Sequence, residues 1–370
     1  MDTKEIKELG DAYSKKRVRL TMQVKAKEDL EFASQTSEEV SLIVLAGPTG
    51  VGKSTIIEES ASEYYESRRA DMLADPSLQP LAYAQASASG DLDIDWSRLY
   101  RDLLRSLQDP FANIRSMRRD GRQALKVHEG ETPAEAQMRE QLESVMSAVK
   151  TERAIIDEAQ HVVRGKGRAK PGDRLDVLKS NAQKSNAKLI LVGTHDLPEY
   201  LEHSGQLARR TQVIRLDRYR FTEKAELNEF ASAANAMFKA MPSKPKYPAV
   251  APNIKFYHVG SIGCPGVLKD WLGRAYMHAL RAKRNEITMD DLINTRLGKR
   301  ALATINREVL ASERTRGEDR DGPDAELQEA ILKGLDYVPK DAQPGPSAKR
   351  AKQAKKNKPF ERSGVRDTVS

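Results

Sequence analysis

Short apolar runs recur along the first 220 residues and alternate with stretches that have helical spacing. Five of these runs have the length and composition of buried parallel strands: SLIVLAG (41–47), LAYAQASAS (81–89), RAIID (153–157), KLILVGT (188–194) and QVIRL (212–216). Strands that alternate with helices over about 180 residues favour a parallel sheet covered by helices on both faces. The pattern therefore predicts an α/β fold with a five-stranded parallel sheet.

The apolar spacing changes on either side of this stretch. After Arg220 the strand-like runs stop, and residues 221–310 have helical spacing, which predicts a small all-helical domain. Residues 1–38 also read as helix, but their apolar spacing is weak, so we expect an arm appended to the core. The predicted divisions are 1–38 (helical arm), 39–220 (α/β domain), 221–310 (helical domain) and 311–370 (charged, largely disordered tail).

Positive charge is concentrated at the end of the chain. The 370 residues include 62 Lys and Arg against 54 Asp and Glu, a formal net charge of +8. Residues 339–370 hold nine Lys and Arg against three acids, so they carry +6 and the remaining 338 residues carry +2. The tail has few large apolar side chains to offset its ordering entropy. It is interpreted as a disordered interaction arm or as a solubilising end.

Composition excludes several classes of protein. A lone cysteine, Cys264, excludes a disulfide framework and a multi-cysteine zinc site. The apolar runs are too short to span a membrane, and the N-terminal MDTKEIKELG lacks the apolar segment of a signal peptide. We therefore expect a cytoplasmic, bacterial-type protein with no membrane partner.

A phosphate-binding loop follows the first predicted strand and opens a helix. It matches the pattern G-x-x-x-x-G-K-[ST], whose glycines let backbone N–H groups point inward at a phosphate. Lys53 is predicted to reach the β- and γ-phosphates of ATP, and the Ser54 hydroxyl to ligate Mg²⁺. A glycine-rich turn without a ligand is the alternative, which the flanking strand and helix disfavour. The predicted nucleotide-binding residues are Gly47, Pro48, Thr49, Gly50, Val51, Gly52, Lys53, Ser54 and Thr55.

Polar side chains end the third and fourth predicted strands. Asp157 ends RAIID and Glu158 follows it, so that Asp157 is placed to hold Mg²⁺ and Glu158 to polarise the attacking water. Thr194 closes KLILVGT, where it would lie between the loop and the acids and orient that water. The alternative for Thr194 is a cap on the next helix.

Two arginines precede the fifth predicted strand. From the edge of a subunit, Arg209 or Arg210 can reach the γ-phosphate of a neighbouring copy as an arginine finger. The alternative is a pair of ordinary surface arginines, because arginine is common on protein surfaces.

Together these residues resemble an AAA+ ATPase, and within that class the transposition regulators of the TnsC/TniB type. The similarity lies in LAGPTGVGKST, IIDEAQH, LVGTHD followed by QLARR, and GSIGCPGVLKDWLGRAYMHAL. The resemblance implies an ATP hydrolase that forms rings or helical filaments on duplex DNA and links a target-selector protein to the transposase. It also implies a finger role for Arg210, with Arg209 as the adjacent candidate, and places Lys269 near the nucleotide as a second-sensor cation, although many relatives carry Arg there.

Basic clusters support DNA binding independently of the resemblance. Residues 98–126 hold eight Lys and Arg against three acids, and residues 164–188 hold eight against two. Such clusters give sequence-independent, salt-sensitive phosphate contacts, and the scarcity of aromatic residues argues against single-strand stacking. The alternative is a solvated loop. The predicted DNA-binding residues are Arg115, Arg118, Arg119, Arg122 and Lys126.

Two other functions remain open from the residues alone. A secretion-assembly ATPase has similar loop and acid motifs but predicts a membrane link, which is not visible. A replication-initiator or helicase-loader ATPase favours a winged-helix domain after the helical domain, for which residues 311–370 are too short and polar.

Overall fold

A five-stranded parallel sheet lies at the centre of the computed structural model, which describes residues 3–35, 40–87, 95–108, 131–163, 178, 184, 186–200, 209–320 and 332. The strands stand in the order β2-β3-β4-β1-β5. Their bounds are β1 Leu42–Ala46, β2 Leu81–Gln85, β3 Arg153–Asp157, β4 Lys188–Gly193 and β5 Thr211–Arg215. All five predicted strands are confirmed, although β2 ends at Gln85, before the end of the predicted run.

Twelve helices accompany the sheet in the described part of the chain. Those that come before β4 in the chain are α1 Thr3–Lys15, α2 Thr21–Gln35, α3 Lys53–Ser67, α4 Arg69–Ala74, α5 Trp96–Ser106, α6 Pro133–Ala148 and α7 Gln160–Val163. Those after the sheet are α8 Lys224–Lys239, α9 Ile254–Ser261, α10 Pro265–Arg281, α11 Met289–Thr295 and α12 Lys299–Arg320. The predicted helical region after Arg220 is therefore confirmed.

The sheet is covered on both faces, as its apolar strands predict. Successive side chains of a strand point to opposite faces. Leu42 and Val44 accordingly join a buried cluster with α5 and α6, whereas Ile43 and Leu45 join one with α2 and α3. These four side chains are at most 1% exposed.

The two N-terminal helices belong to the core, so the expectation of an appended arm is wrong. Helix α2 places Ala26, Leu30 and Ala33 in the cluster beneath the sheet, and α1 packs against α10 in the helical region. The buried face of α2 consists of positions i, i+4 and i+7, but two of its three members are alanines. Alanine contributes little to an apolar pattern, which is why the spacing looked weak.

Residues 1–316 form one compact unit that contains both the sheet and the helical region. In the helical region Trp271 is fully buried and its indole Nε1 donates to the carbonyl of Leu292 at 2.8 Å. Residues 317–370 form a second unit, of which the structure describes only the end of α12 and Leu332. Most of the predicted disordered tail therefore lies outside the described residues.

Candidate functional site

The phosphate-binding loop connects β1 to α3 through backbone conformations that require glycine. Gly50 and Gly52 have φ of 80° and 101°, in the left-handed region that other residues rarely adopt. A Cβ on Gly47 would lie 2.2 Å from the carbonyl oxygen of Leu216, so that position also excludes a side chain. No side chain of the described residues caps α3, and its first N–H groups stay available to an anion.

Lys53 extends back over this loop. Its Nζ donates to the carbonyl oxygens of Gly47 and Pro48 at 2.8 and 3.0 Å. Burial lowers the pKa of Lys53, and the charges of Glu158 and Asp157 work in the opposite direction. The ammonium is thus held at the mouth of the loop, where it can meet a phosphate.

Ser54 and Asp157 come together from α3 and the end of β3. The Ser54 hydroxyl donates to Asp157 Oδ2 at 3.2 Å, and the Glu158 N–H donates to Asp157 Oδ1 at 2.8 Å. Burial raises the pKa of Asp157, the charge of Glu158 raises it further, and the bonds from the Glu158 N–H and Ser54 lower it. A hydroxyl and a carboxylate side by side fit Mg²⁺, which takes one or two protein oxygens together with phosphate oxygens. Within the described ranges no group of three or more His, Cys, Asp or Glu could hold a metal by itself.

The side chain of Glu158 is held by Gln160, a residue that the sequence analysis missed. Gln160 Nε2 donates to Glu158 Oε2, and Gln160 Oε1 accepts from the Thr194 N–H at 3.3 Å. Thr194 follows β4, which lies in the sheet between β3, the strand that ends in the acids, and β1, the strand that leads into the loop. Its hydroxyl donates to Asp196, so Thr194 also opens the turn after β4. The feature of the sequence that could have indicated Gln160 is its position two residues after Glu158.

Helix α10 meets the phosphate-binding loop through its first turn. The Gly266 N–H donates to the carbonyl oxygen of Gly50 at 2.7 Å, and a Cβ on Gly50 would lie 2.7 Å from Val267 Cγ2. Lys269 lies further along the helix, and its Nζ donates to the carbonyl of Ser14 in α1 at 2.8 Å. The structure therefore places Lys269 in the contact with α1, whereas resemblance had placed it near the nucleotide.

Helix α2 adds a second contact that was not foreseen. The side-chain amide of Gln23 donates to the carbonyl of Val51 at 3.2 Å. A Cβ on Gly52 would lie only 2.0 Å from Gln23 Nε2, so a side chain at position 52 would displace this amide. The loop is thus supported from outside by the N-terminal helices.

The two candidate finger arginines lie at the amino end of β5. The Arg210 carbonyl accepts from the Leu42 N–H at 3.2 Å, which sets Arg210 beside the start of β1, and Arg209 is exposed. The phosphate-binding loop follows the other end of β1, about 16 Å away for five residues of strand. Their own loop is therefore at the opposite edge of the sheet.

The predicted DNA-binding residues at positions 115–126 lie outside the described residues, as does most of 164–188. Of the described cations in these two segments, Arg105 pairs with Asp102 at 3.1 Å and Lys184 with Glu143 at 2.6 Å. Lys188 donates to the carbonyl of Val40 at 2.5 Å. These members of the clusters are thus engaged within the protein.

Comparisons with known proteins identify the class of fold. Residues 37–201 match the family model described as an AAA domain. The ORC2 protein of Aeropyrum pernix, solved as ADPNP–ADP complexes, is similar at 13% identity, 79% of this chain, 66% of that chain and a TM-score of 0.46. Drosophila ORC bound to DNA is similar at 13% identity, 95% of this chain, 83% of that chain and a TM-score of 0.47. The RuvB Holliday junction branch migration motor of Thermotoga maritima is similar at 15% identity, with 74% of this chain and 68% of that chain covered and a TM-score of 0.41.

This chain spans just under two thirds of the ORC2 chain, at 66%. No curated protein matches it. The family match, the sheet order and the loop between β1 and α3 define an AAA+ P-loop fold with a nucleotide-binding site. In the part of the chain that the structure describes, no helix is both long and apolar enough to cross a membrane.

Proposed function

We propose that this protein is an AAA+ ATP hydrolase that uses ATP as a molecular switch. The contact between Ser54 and Asp157, with Glu158 as the next residue, is the observation that carries the proposal. Ser54 and Asp157 would hold Mg²⁺, Lys53 would neutralise charge on the β- and γ-phosphates, and Glu158 would orient the attacking water. Thr194 would contribute to orienting that water from the adjacent strand end.

The switch would work between copies of the chain. Arg210, with Arg209 beside it, lies at the opposite edge of the sheet from its own phosphate-binding loop, and an arginine at a subunit edge can stabilise charge on a neighbour's γ-phosphate. ATP would then hold adjacent subunits together, and hydrolysis would release them. This arrangement supports a ring or a helical filament.

We further propose that the assembly forms on duplex DNA and regulates transposition. The resemblance of LAGPTGVGKST, IIDEAQH and the GSIGCPGVLKDW segment to TnsC/TniB-type regulators supports this function. The basic composition of residues 98–126 and 164–188 supports contacts to the phosphate backbone. The partners would be a target-selector protein and a transposase, and residues 339–370 would serve as an arm for the transposase or as an additional clamp on DNA.

The test is Glu158→Gln in the full chain, with ATP, Mg²⁺ and duplex DNA. The amide keeps the shape of the side chain but loses the carboxylate, so hydrolysis should fall about a hundredfold to ten-thousandfold. ATP affinity should persist, and electron microscopy should show longer-lived assemblies on DNA. Glu66→Gln, the same change on an exposed side chain of α3, is the matched control and should behave as wild type. Faster disassembly of the Glu158→Gln protein would contradict the switch.

A further inference from the structure

Gln160 is a buried amide with two directed contacts. It is the first residue of α7 and only 4% exposed, although its side chain is fully polar. Its Nε2 donates to Glu158 Oε2, and its Oε1 accepts from the Thr194 N–H at 3.3 Å. A side chain that donates to a carboxylate at one end and accepts from an N–H at the other has one orientation only. An amide meets both demands, whereas a carboxylate can only accept.

The backbone around Gln160 leaves this amide little freedom. The Ala159 N–H donates to the carbonyl of Val192 at 2.8 Å, which fastens the start of α7 to β4. A Cβ on Gly193 would lie 2.7 Å from Gln160 Oε1, so the amide fills the space that a side chain at position 193 would need. Because the amide is enclosed in this way, its hydrogen bonds fix the Glu158 carboxylate relative to the Thr194 N–H.

Glu158 is fixed at its backbone and at one carboxylate oxygen. Its φ of 53° lies in the left-handed region, and its N–H donates to Asp157 Oδ1 at 2.8 Å. A non-glycine residue in this region is uncommon. With Oε2 engaged by Gln160, Oε1 is the oxygen that can accept a proton from water.

We propose that Gln160 is a positioning residue for ATP hydrolysis, which holds the Glu158 carboxylate so that Oε1 faces the attacking water. Through its bond to Thr194 it also joins that carboxylate to the turn after β4. This inference rests on the proposed ATP hydrolase function, and it adds the means by which the catalytic carboxylate keeps its orientation.

The first test compares Gln160→Ala and Gln160→Glu in the full chain with ATP and Mg²⁺. Gln160→Glu keeps the size and the acceptor for Thr194 but cannot donate to Glu158. Both variants should lower kcat about tenfold to a hundredfold, as loss of an orienting partner does in metal sites. KM for ATP and nucleotide affinity should stay within about twofold, because the two hydrogen bonds of the Gln160 amide go to Glu158 and to the Thr194 N–H.

Gln79→Ala is the matched control. Gln79 is also a buried glutamine, 9% exposed, and its Oε1 accepts from the Tyr65 hydroxyl at 3.0 Å. It precedes β2 and so lies at the amino edge of the sheet, away from the acids. The kcat of Gln79→Ala should equal that of wild type even if its unfolding temperature falls. A loss of kcat in both glutamine variants would show a general effect of buried amides and would overturn the proposal.

The second test is a double-mutant cycle with Glu158→Gln. If Gln160 acts through Glu158, Gln160→Ala should cause no further loss of kcat once the carboxylate is absent. Additive losses of kcat in the double variant, or a normal kcat in Gln160→Glu, would overturn the inference about Gln160. The proposed function would still stand in that case, provided that the wild type hydrolyses ATP and Glu158→Gln loses this activity. An inactive wild type would overturn the proposed function, and the inference with it.

Discussion

Replacing Leu30 by alanine tests whether the N-terminal helices are part of the core. Leu30 is fully buried in α2, in one cluster with Ile43, Leu45 and Ile56. Helix α2 packs against α3, β1 and β5. Because the sheet and a second helix surround Leu30, the neighbouring side chains can close only part of the cavity that alanine would leave. Burial of this kind makes a leucine-to-alanine change cost 2–5 kcal/mol, and we expect about 3 kcal/mol here.

The measurement is urea and thermal unfolding followed by circular dichroism. For a folded unit of 316 residues, at about 2.1 cal/mol/K of unfolding entropy per residue, a loss of about 3 kcal/mol should lower Tm by about 4–5 °C. Phe32→Ala is the control, because Phe32 lies on the same helix but is 65% exposed. Its free energy of unfolding should change by no more than about 0.5 kcal/mol. A loss below about 1 kcal/mol for Leu30→Ala, or equal losses in both variants, would refute the packing argument.

Three further results are expected. Lys53→Ala should abolish nucleotide binding in a titration, because the variant lacks the ammonium at the mouth of the phosphate-binding loop; normal affinity would contradict the site. Arg210→Ala should keep nucleotide affinity and lose the rise of hydrolysis with protein concentration, because its own loop lies at the opposite sheet edge; an unchanged concentration dependence would exclude a finger role. Hydrogen bonds from Arg284, and to a lesser degree from the Thr288 N–H and from His278, hold the pKa of Asp291 below its ordinary value despite burial. The stability from Asp291 is therefore present above about pH 4 and lost as pH falls, so Asp291→Asn should destabilise the protein more at neutral pH than near about pH 3 in urea unfolding.

The elements that depend on local pattern were predictable from the sequence. All five strands and the loop between β1 and α3 form where the apolar runs and glycines place them. The proximity of Ser54 and Asp157 followed as well, because parallel strands present their carboxyl ends at one edge of a sheet.

Contacts between distant segments were not predictable in the same way. The buried face of α2 is made largely of alanines, which carry little periodic signal. The hydrogen bond from Gln23 to Val51 joins residues 28 positions apart. Whether Lys269 contacts the loop or α1 depends on the direction of helix α10 in the fold. A helical pattern specifies the face on which a side chain lies, but not the element that this face meets.

Strand β1 has a consequence for how neighbouring sites could communicate. All five of its residues pair with β4 on one side and with β5 on the other. The phosphate-binding loop leaves one end of this strand, and Arg210 is bonded to the other end through Leu42. In the proposed assembly, a subunit's own phosphates and those of its neighbour would therefore lie at opposite ends of β1. In that assembly β1 would be the element that connects the two nucleotide sites.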